Sequence, residues 1–197
     1  MKKTLIAFAA VLAASAAVAQ TADTLKKIKD SGSITLGVRE SSGLSYTIGN
    51  GKFVGFHTEM AERVIADIRK QLGMNALEVK YQPVTSQNRI PLVQNGTVDL
   101  ECGSTTNNAT RQKDVSFAMT TYVEEVRIAV KANSGISSIA QLAGKKVATT
   151  TGTTSVQTLR KHERAASVNY EEVFGKDHAD TFLLLESGRA AAFVMDA

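Results

Sequence analysis

The sequence predicts an α/β protein made of two lobes, each a mainly parallel sheet with helices on its faces. Three observations carry this. Apolar strands and amphipathic helices alternate as β-α-β-α-β between Ile34 and Cys102, the pattern restarts beyond the strand "VRIAV", and the two units end on similar sequences.

The first residues stand apart from that plan. In "MKKTLIAFAAVLAASAAVAQ", Lys2 and Lys3 precede an apolar run from Leu5 to Val18, and "AVA" (17–19) fits the small-x-small rule for cleavage before Gln20. The run is short and Ala-rich for a bilayer span, and no stop-transfer flank follows it. Residues 1–19 are read as a cleavable secretory signal peptide. No Cys follows the run, so a soluble mature protein in the periplasm is expected rather than a lipid-anchored one.

"TLKKIKDSG" reads as a short helix with Leu25 and Ile28 on one face and Gly32 as its stop. "ITLGV" (34–38) is a strand followed by the polar loop "RESSGLSYT", and "IGNGKFVGF" is a tight turn with two glycines. A helix starts near Thr58, with Met60, Val64, Ile68 and Leu72 at four-residue spacing and Gly73 at its end. "LEVKYQPV" is a strand, "TSQNRIPLVQNG" a helix closed by Gly96, and "VDLEC" the third strand. "VSFAM" and "VRIAV" are strands, the second alternating through Val126, Ile128 and Val130.

The second unit repeats the pattern. "SSIAQLAG" is a helix capped by Ser137 or Ser138, "KKVATT" a strand, "TSVQTLRKHE" a helix, "SVNYEEV" a strand, "DHADTFLLLESG" a helix and "AAAFVMD" a strand. The boundary falls near residues 122–130, giving a first lobe over 20–125 and a second over 126–197. The echo joins "LVQNGTVDLECGS" to "LLESGRAAAFVMD": Ser104 lies eight residues after Gly96, and Asp196 eight after Gly188. If the lobes are related repeats, both residues sit at the carboxyl ends of corresponding strands, where open α/β sheets bind ligands.

Composition excludes several classes of function. Without residues 1–19, 21 basic and 19 acidic residues leave a net charge of +2, with no cluster of Lys or Arg to suggest a nucleic-acid partner. Cys102 is the single cysteine, so no internal disulfide forms, and its expected use is as small, buried filler. His57, His162 and His178 lack metal-ligand spacing, and neither a metal nor a cofactor is expected. The nucleophile elbow G-x-S-x-G, the phosphate loop and the H-E-x-x-H helix are all missing. Ser104 or Ser155 with His178 and Asp196 makes a triad on paper, but hydroxyls are too plentiful here for that pairing to discriminate.

The polar loops all leave the carboxyl ends of predicted strands. Arg39 follows "ITLGV"; Ser86 and Arg89 follow "YQPV"; Ser104, Thr106 and Arg111 follow "VDLEC"; "TTTGTTS" joins a strand to a helix; His178 lies past "VNYEEV" and Asp196 ends "FVMD". Taken singly, Arg39 and Arg89 suit solvated surfaces, the threonines suit helix caps and His178 suits a helix's first turn. Together they predict one crevice for a small anion. Arg111 offers a planar fork matched to a carboxylate, with hydroxyls at Ser104 and Thr106 beside it. "TGTTS" at a helix start adds aligned N–H donors. Asp196, an acceptor among donors, suits an ammonium, and Arg39, Arg89 and His178 are surplus unless the ligand carries a second carboxylate.

These residues also carry a resemblance. From about Thr24 to Ala197 the chain resembles periplasmic solute-binding proteins of ABC-type amino-acid importers, most closely the glutamate/aspartate-binding branch, through "RESS", "TSQNRIPLVQNGT", "ECGSTTNN…RQK", "GTTS", "KDHAD" and "LESGRAAAFVMD". The resemblance implies the Venus-flytrap fold, periplasmic binding protein type 2: two α/β lobes, hinge strands and a ligand in the cleft. It implies that Arg111, Ser104, Thr106 and Thr154 hold the α-carboxylate and Asp196 the α-ammonium. Arg39, Ser86, Arg89 and His178 then take the side-chain carboxylate. The implied partners are glutamate or aspartate and the importer's membrane permease, with the binding protein a monomer. Relatives are expected to continue past Ala197, so the chain is expected to be C-terminally truncated, lacking a second hinge crossing and part of both cores.

Two other readings use the same fold. A periplasmic dehydratase of the cyclohexadienyl type needs a general acid facing the ligand, for which His178 and Glu101 are the candidates. A sensor without a transporter needs only the cleft.

Overall fold

The computed structural model describes residues 23–197, and the predicted signal peptide lies outside the described residues. Helix α1 (Thr24–Ser31) is capped by Asp23, whose side chain accepts from the Lys26 amide, and stops at Gly32, where φ is 68°. Strand β1 (Ser33–Val38) buries Ile34, Leu36 and Val38. The loop read as polar coil then forms a small antiparallel sheet from β2 (Ser41–Ser42), β3 (Ser45–Thr47) and β4 (Phe53–Val54). Helix α2 (Phe56–Gln71), β5 (Glu78–Pro83), α3 (Arg89–Gln94) and β6 (Leu100–Glu101) complete the first unit. The order β5-β1-β6 is parallel throughout, with Ser33 opposite Glu78 and Val38 opposite Pro83.

The second unit contains β7 (Val126–Val130), β8 (Lys146–Thr150), α4 (Thr154–Ala166), β9 (Glu171–Gly175), α5 (His178–Glu186) and β10 (Ala192–Asp196). Its sheet runs β7-β10-β8-β9, with β7 antiparallel to β10 and the other pairs parallel. Side chains alternate across it. Val147, Ala192 and Val194 join Leu142 and Leu159 on one face, while Ala148 and Phe193 join Leu185 and Ala190 on the other. A parallel sheet buried on both faces needs such continuous apolar strands. The first unit's core gathers Ile28, Ile34, Leu36, Val38, Ala61 and Ile65.

Four further details depart from the sequence prediction. Residues 115–119, "VSFAM", form no strand, since they find no sheet partner among the described residues; Met119 is 86% exposed and Val123 87%. Helix α2 buries His57, Thr58, Ala61 and Ile65 and leaves Val64 41% exposed. A strict four-residue stripe drifts around a helix of 3.6 residues per turn, whereas 58, 61, 65, 68 and 72 stay on one face. "IAQL" is a single 3-10 turn (Ile139–Leu142), held by reciprocal capping between Ser138 and Gln141. Strand β9 begins later than "SVNYEEV" suggests, because Ser167 closes α4 in the left-handed region at φ 53° and the Tyr170 amide donates to the Glu163 carboxylate.

The sequence echo is a repeat of backbone geometry. Gly96 and Gly188 adopt φ of 75° and 73°. Val98 donates to the Leu92 carbonyl at 2.9 Å, and Ala190 to the Leu184 carbonyl at 2.8 Å. The next amides, Asp99 and Ala191, donate to Thr35 of β1 and Lys146 of β8. Each pair keeps the same offset from its glycine, so β6 and β10 leave their helices alike; β6 then ends at Glu101, leaving Ser104 in the loop beyond it, whereas β10 continues to Asp196.

Candidate functional site

Each polar side chain is placed by the end of a strand or the start of a helix. Arg39 follows β1 and is only 1% exposed. In the β5–α3 loop, the Thr85 amide donates to Asn88 Oδ1 at 2.7 Å and the Asn88 amide to Thr85 Oγ1 at 3.3 Å, which sets Arg89 as the first residue of α3, 3% exposed. After β6, Asn108 Oδ1 accepts from the amides of Thr110 and Arg111 at 3.1 and 3.0 Å, an Asx turn that starts the 3-10 turn Arg111–Lys113. Thr153 Oγ1 donates to the Thr150 carbonyl at 2.8 Å and shapes the entry to α4. Asp177 caps α5 through the Asp180 amide, so His178 does lie in a first helical turn.

Seven of the nine predicted residues line one narrow cavity: Ser86, Arg89, Ser104, Thr106, Thr154, His178 and Asp196. Arg39 lies beside it and lines an adjoining pocket with Lys176 and Asp177, while its Nη2 donates to Ser86 Oγ at 3.1 Å. Arg111 is half-buried at the edge. Its Nη1 donates to the Thr106 carbonyl at 3.0 Å and its Nη2 to the Gly152 carbonyl at 3.1 Å, bridging the two units. The hydroxyls of Thr106 and Thr154 meet across the same gap at 3.2 Å.

The electrostatics are cationic. Burial lowers the pKa values of Arg39, Arg89 and Arg111, and Glu101 opposes the shift for all three. Arg89 is pushed down to about 10, because the neighbouring cations Arg39 and Arg111 add to its desolvation. Nε and Nη1 of both Arg39 and Arg89 have no hydrogen-bond partner among the described residues, although both side chains are buried. His178 is driven down to about 4 by burial and by Arg39 and Arg89, against the pull of Asp177. Asp196 is held above its usual range by burial and Glu124, with Arg89 opposing.

Sequence reasoning gave three contributors no part in ligand binding, Glu101 being weighed only as a general acid. Glu101, whose Oε2 accepts from Thr105 Oγ1 at 2.7 Å, is the acid these arginines feel. Thr150 and Thr153 also line the cavity. The run "TTTGTTS" contains both threonines, but spacing alone does not tell which hydroxyls face inward. Cys102 packs beside the first core, and burial with Glu101 raises its thiol to about 11, which keeps it protonated. No cluster of metal-ligating side chains occurs among the described residues, and no helix there is long and apolar enough to cross a membrane. The arrangement can hold an anion, and opposite it a cation at Asp196.

Two α/β sheets with a polar cleft between their strand ends define a type 2 solute-binding protein. The chain belongs to the bacterial extracellular solute-binding proteins, family 3, whose profile matches residues 34–184. It is 44% identical over 190 residues to the L-glutamate/L-aspartate-binding protein of Pseudomonas aeruginosa, covering 95% of this chain and 63% of the relative. It is 45% identical over 193 residues to the glutamate/aspartate import solute-binding protein of Escherichia coli, covering 94% of this chain and 64% of the relative. The chain thus spans less than two thirds of the length of either relative. Its backbone matches the solute receptor for L-cysteine of Neisseria gonorrhoeae with a TM-score of 0.76 at 25% identity, over 87% of this chain and 67% of that one.

Proposed function

We propose that this protein captures acidic L-amino acids, glutamate and aspartate, in the periplasm and delivers them to the membrane permease of an ABC importer. One observation carries the reading. Arg39 and Arg89 are buried with unpartnered N–H groups beside a cavity that also presents Asp196. Buried cations of this kind are costly unless an anion meets them, and an acceptor opposite them fits an ammonium. The likeness to two glutamate/aspartate-binding proteins supports the same ligand.

In this reading residues 20–125 and 126–197 are two lobes that close on the ligand. Arg111, Ser104, Thr106 and Thr154 take the α-carboxylate, and Asp196 takes the α-ammonium. Arg39, Ser86, Arg89 and His178 face the side-chain carboxylate. The ligand first binds the arginine-rich lobe, and rotation then brings Thr154, His178 and Asp196 around it. The protein acts by binding and catalyses no step. A micromolar complex corresponds to about −8 kcal/mol. Calorimetric titration with each standard amino acid tests the proposal: glutamate and aspartate bind well above their amides. Equal binding of acids and amides removes the side-chain-carboxylate assignment, and binding of neither acid removes the function.

A further inference from the structure

The hydroxyls behind His178 form a chain whose direction can be read from donor counting. Thr181 Oγ1 lies 2.6 Å from the Asp177 carbonyl oxygen, which only accepts, so the single Thr181 hydroxyl proton is committed there. Thr150 Oγ1 lies 2.9 Å from Thr181 Oγ1, and with the Thr181 proton already used, Thr150 is the donor of that bond. The Thr150 proton is then committed too. At 3.0 Å from Thr150 Oγ1, His178 Nδ1 must therefore donate, and it carries the hydrogen. Thr150 is 1% exposed and Thr181 fully buried, which keeps solvent from reversing the chain. Gly175 packs against it so closely that a Cβ there would collide with Thr181 Oγ1.

A neutral imidazole with its hydrogen on Nδ1 has a bare lone pair on Nε2. His178 lines the cavity, and its Nε2 makes no hydrogen bond among the described residues. We propose that Thr150 and Thr181 are positioning residues that fix this tautomer, so that an acidic side chain is captured in the cleft together with a proton, and an amide side chain without one. The proposal rests on the reading of the cleft as an amino-acid site.

Burial does most to keep the imidazole neutral, Arg39 after β1 and Arg89 on α3 add to it, Asp177 before α5 opposes them, and Asp196 at the end of β10 lines the same cavity. With the imidazole pKa pushed down to about 4, Nε2 is an acceptor at neutral pH. A ligand carboxylate brought against that lone pair is repelled, yet its charge offsets the two arginines and favours the imidazolium. A solvent proton binds Nε2, and the new N–H donates to the carboxylate. An amide NH₂ donates to Nε2 directly and needs no proton.

Calorimetry of L-glutamate binding near pH 6 in buffers of different ionisation enthalpy counts the protons taken up. The expected result is roughly one proton per glutamate, with affinity rising up to roughly tenfold per pH unit of acidification between the free and bound pKa values of His178. In Thr150→Val the imidazole is released to its other tautomer. Glutamate then binds with little proton uptake, whereas Thr150→Ser, which keeps the hydroxyl, retains it. Independently of any variant, ¹⁵N shifts of His178 in the ligand-free protein show the hydrogen on Nδ1. Glutamate binding without proton uptake, or a hydrogen on Nε2, overturns the proposal and leaves the function standing. Failure of glutamate to bind removes the function, while the nitrogen shifts still report the tautomer.

Discussion

A Cβ placed on Gly152 would lie 2.6 Å from the Cα of Gln87, so the β8–α4 loop and the β5–α3 loop meet backbone to backbone. Gly152 also sits at φ +81°, a conformation that side-chain-bearing residues adopt reluctantly. Gly152→Ala obstructs the approach of the two units at this point. Glutamate affinity measured by calorimetry should fall by about tenfold or more, because a strained contact of about 1–3 kcal/mol is added only when the units meet. Small-angle scattering at saturating ligand should show the variant more extended than the parent, and identical profiles would remove this contact from closure.

Arg111 reaches both Thr106 and Gly152 through its two terminal nitrogens, so its guanidinium already spans the place where the ligand's carboxylate is proposed to sit. Arg111→Ala leaves that anion unpaired and should cost about 3–5 kcal/mol, roughly two to four decades of affinity. Arg111→Lys should recover little of the loss, because an ammonium lacks the planar fork. A lysine variant binding within threefold of the parent, about 0.7 kcal/mol, would argue that the charge alone suffices.

Arg89 is buried beside Arg39 and Arg111, and its pKa of about 10 reflects that burial first and the neighbouring cations second. Replacing it with the apolar, flexible Met relieves a buried cation. Thermal melts of Arg89→Met without ligand should therefore rise by a few degrees, matching about 1–3 kcal/mol in a domain of this size. The further rise that glutamate produces in the parent should vanish. A lower melting temperature in the free variant would mean that Arg89 serves packing more than ligand capture.

His178 also links stability to pH. Its pKa is near 4 in the folded protein against 6.5 for an ordinary imidazole, so the unfolded chain binds a proton first as pH falls. Stability is full above about pH 6.5, declines down to about pH 4 by at most about 3 kcal/mol, and loses nothing more to this group below that. Asp196, held above the usual carboxylate range, works in the opposite sense: its contribution is present at low pH and is lost as pH rises through its folded value. Denaturant melts between pH 7 and 4 should show a falling midpoint that His178→Gln flattens, and an unchanged slope in the variant would place the proton elsewhere.

Much of the architecture was legible because it follows from local chemistry. Gly32, Gly96 and Gly188 end their helices at positive φ as their placement suggested, and Ile34, Leu36 and Val38 mark β1 by continuous apolarity. The cavity was legible in outline, since its polar residues sit where strands end. Pairing was not. The two-residue strands β2 and β4 have no periodicity to read, and "VSFAM" has strand propensity but no partner among the described residues. Whether Thr150 faces His178 or solvent depends on how β8 lies beside α5, a tertiary fact with no trace in spacing. The contact between Gly152 and Gln87 joins residues 65 positions apart in the chain, and only the folded backbone brings them together.

Strand β10 leans on β7 residue for residue, with Asp196 opposite Val126, and the following amide of Ala197 donates to the Glu125 carbonyl at 2.9 Å. The carboxylate proposed to hold the ammonium is therefore geared to the stretch of chain that passes from one sheet to the other. Torque applied at residues 124–126 reaches Asp196 through adjacent hydrogen bonds, without crossing the rest of the sheet. Mechanical stiffness at that junction, more than the number of contacts in the cleft, should govern how quickly the proposed ligand is let go.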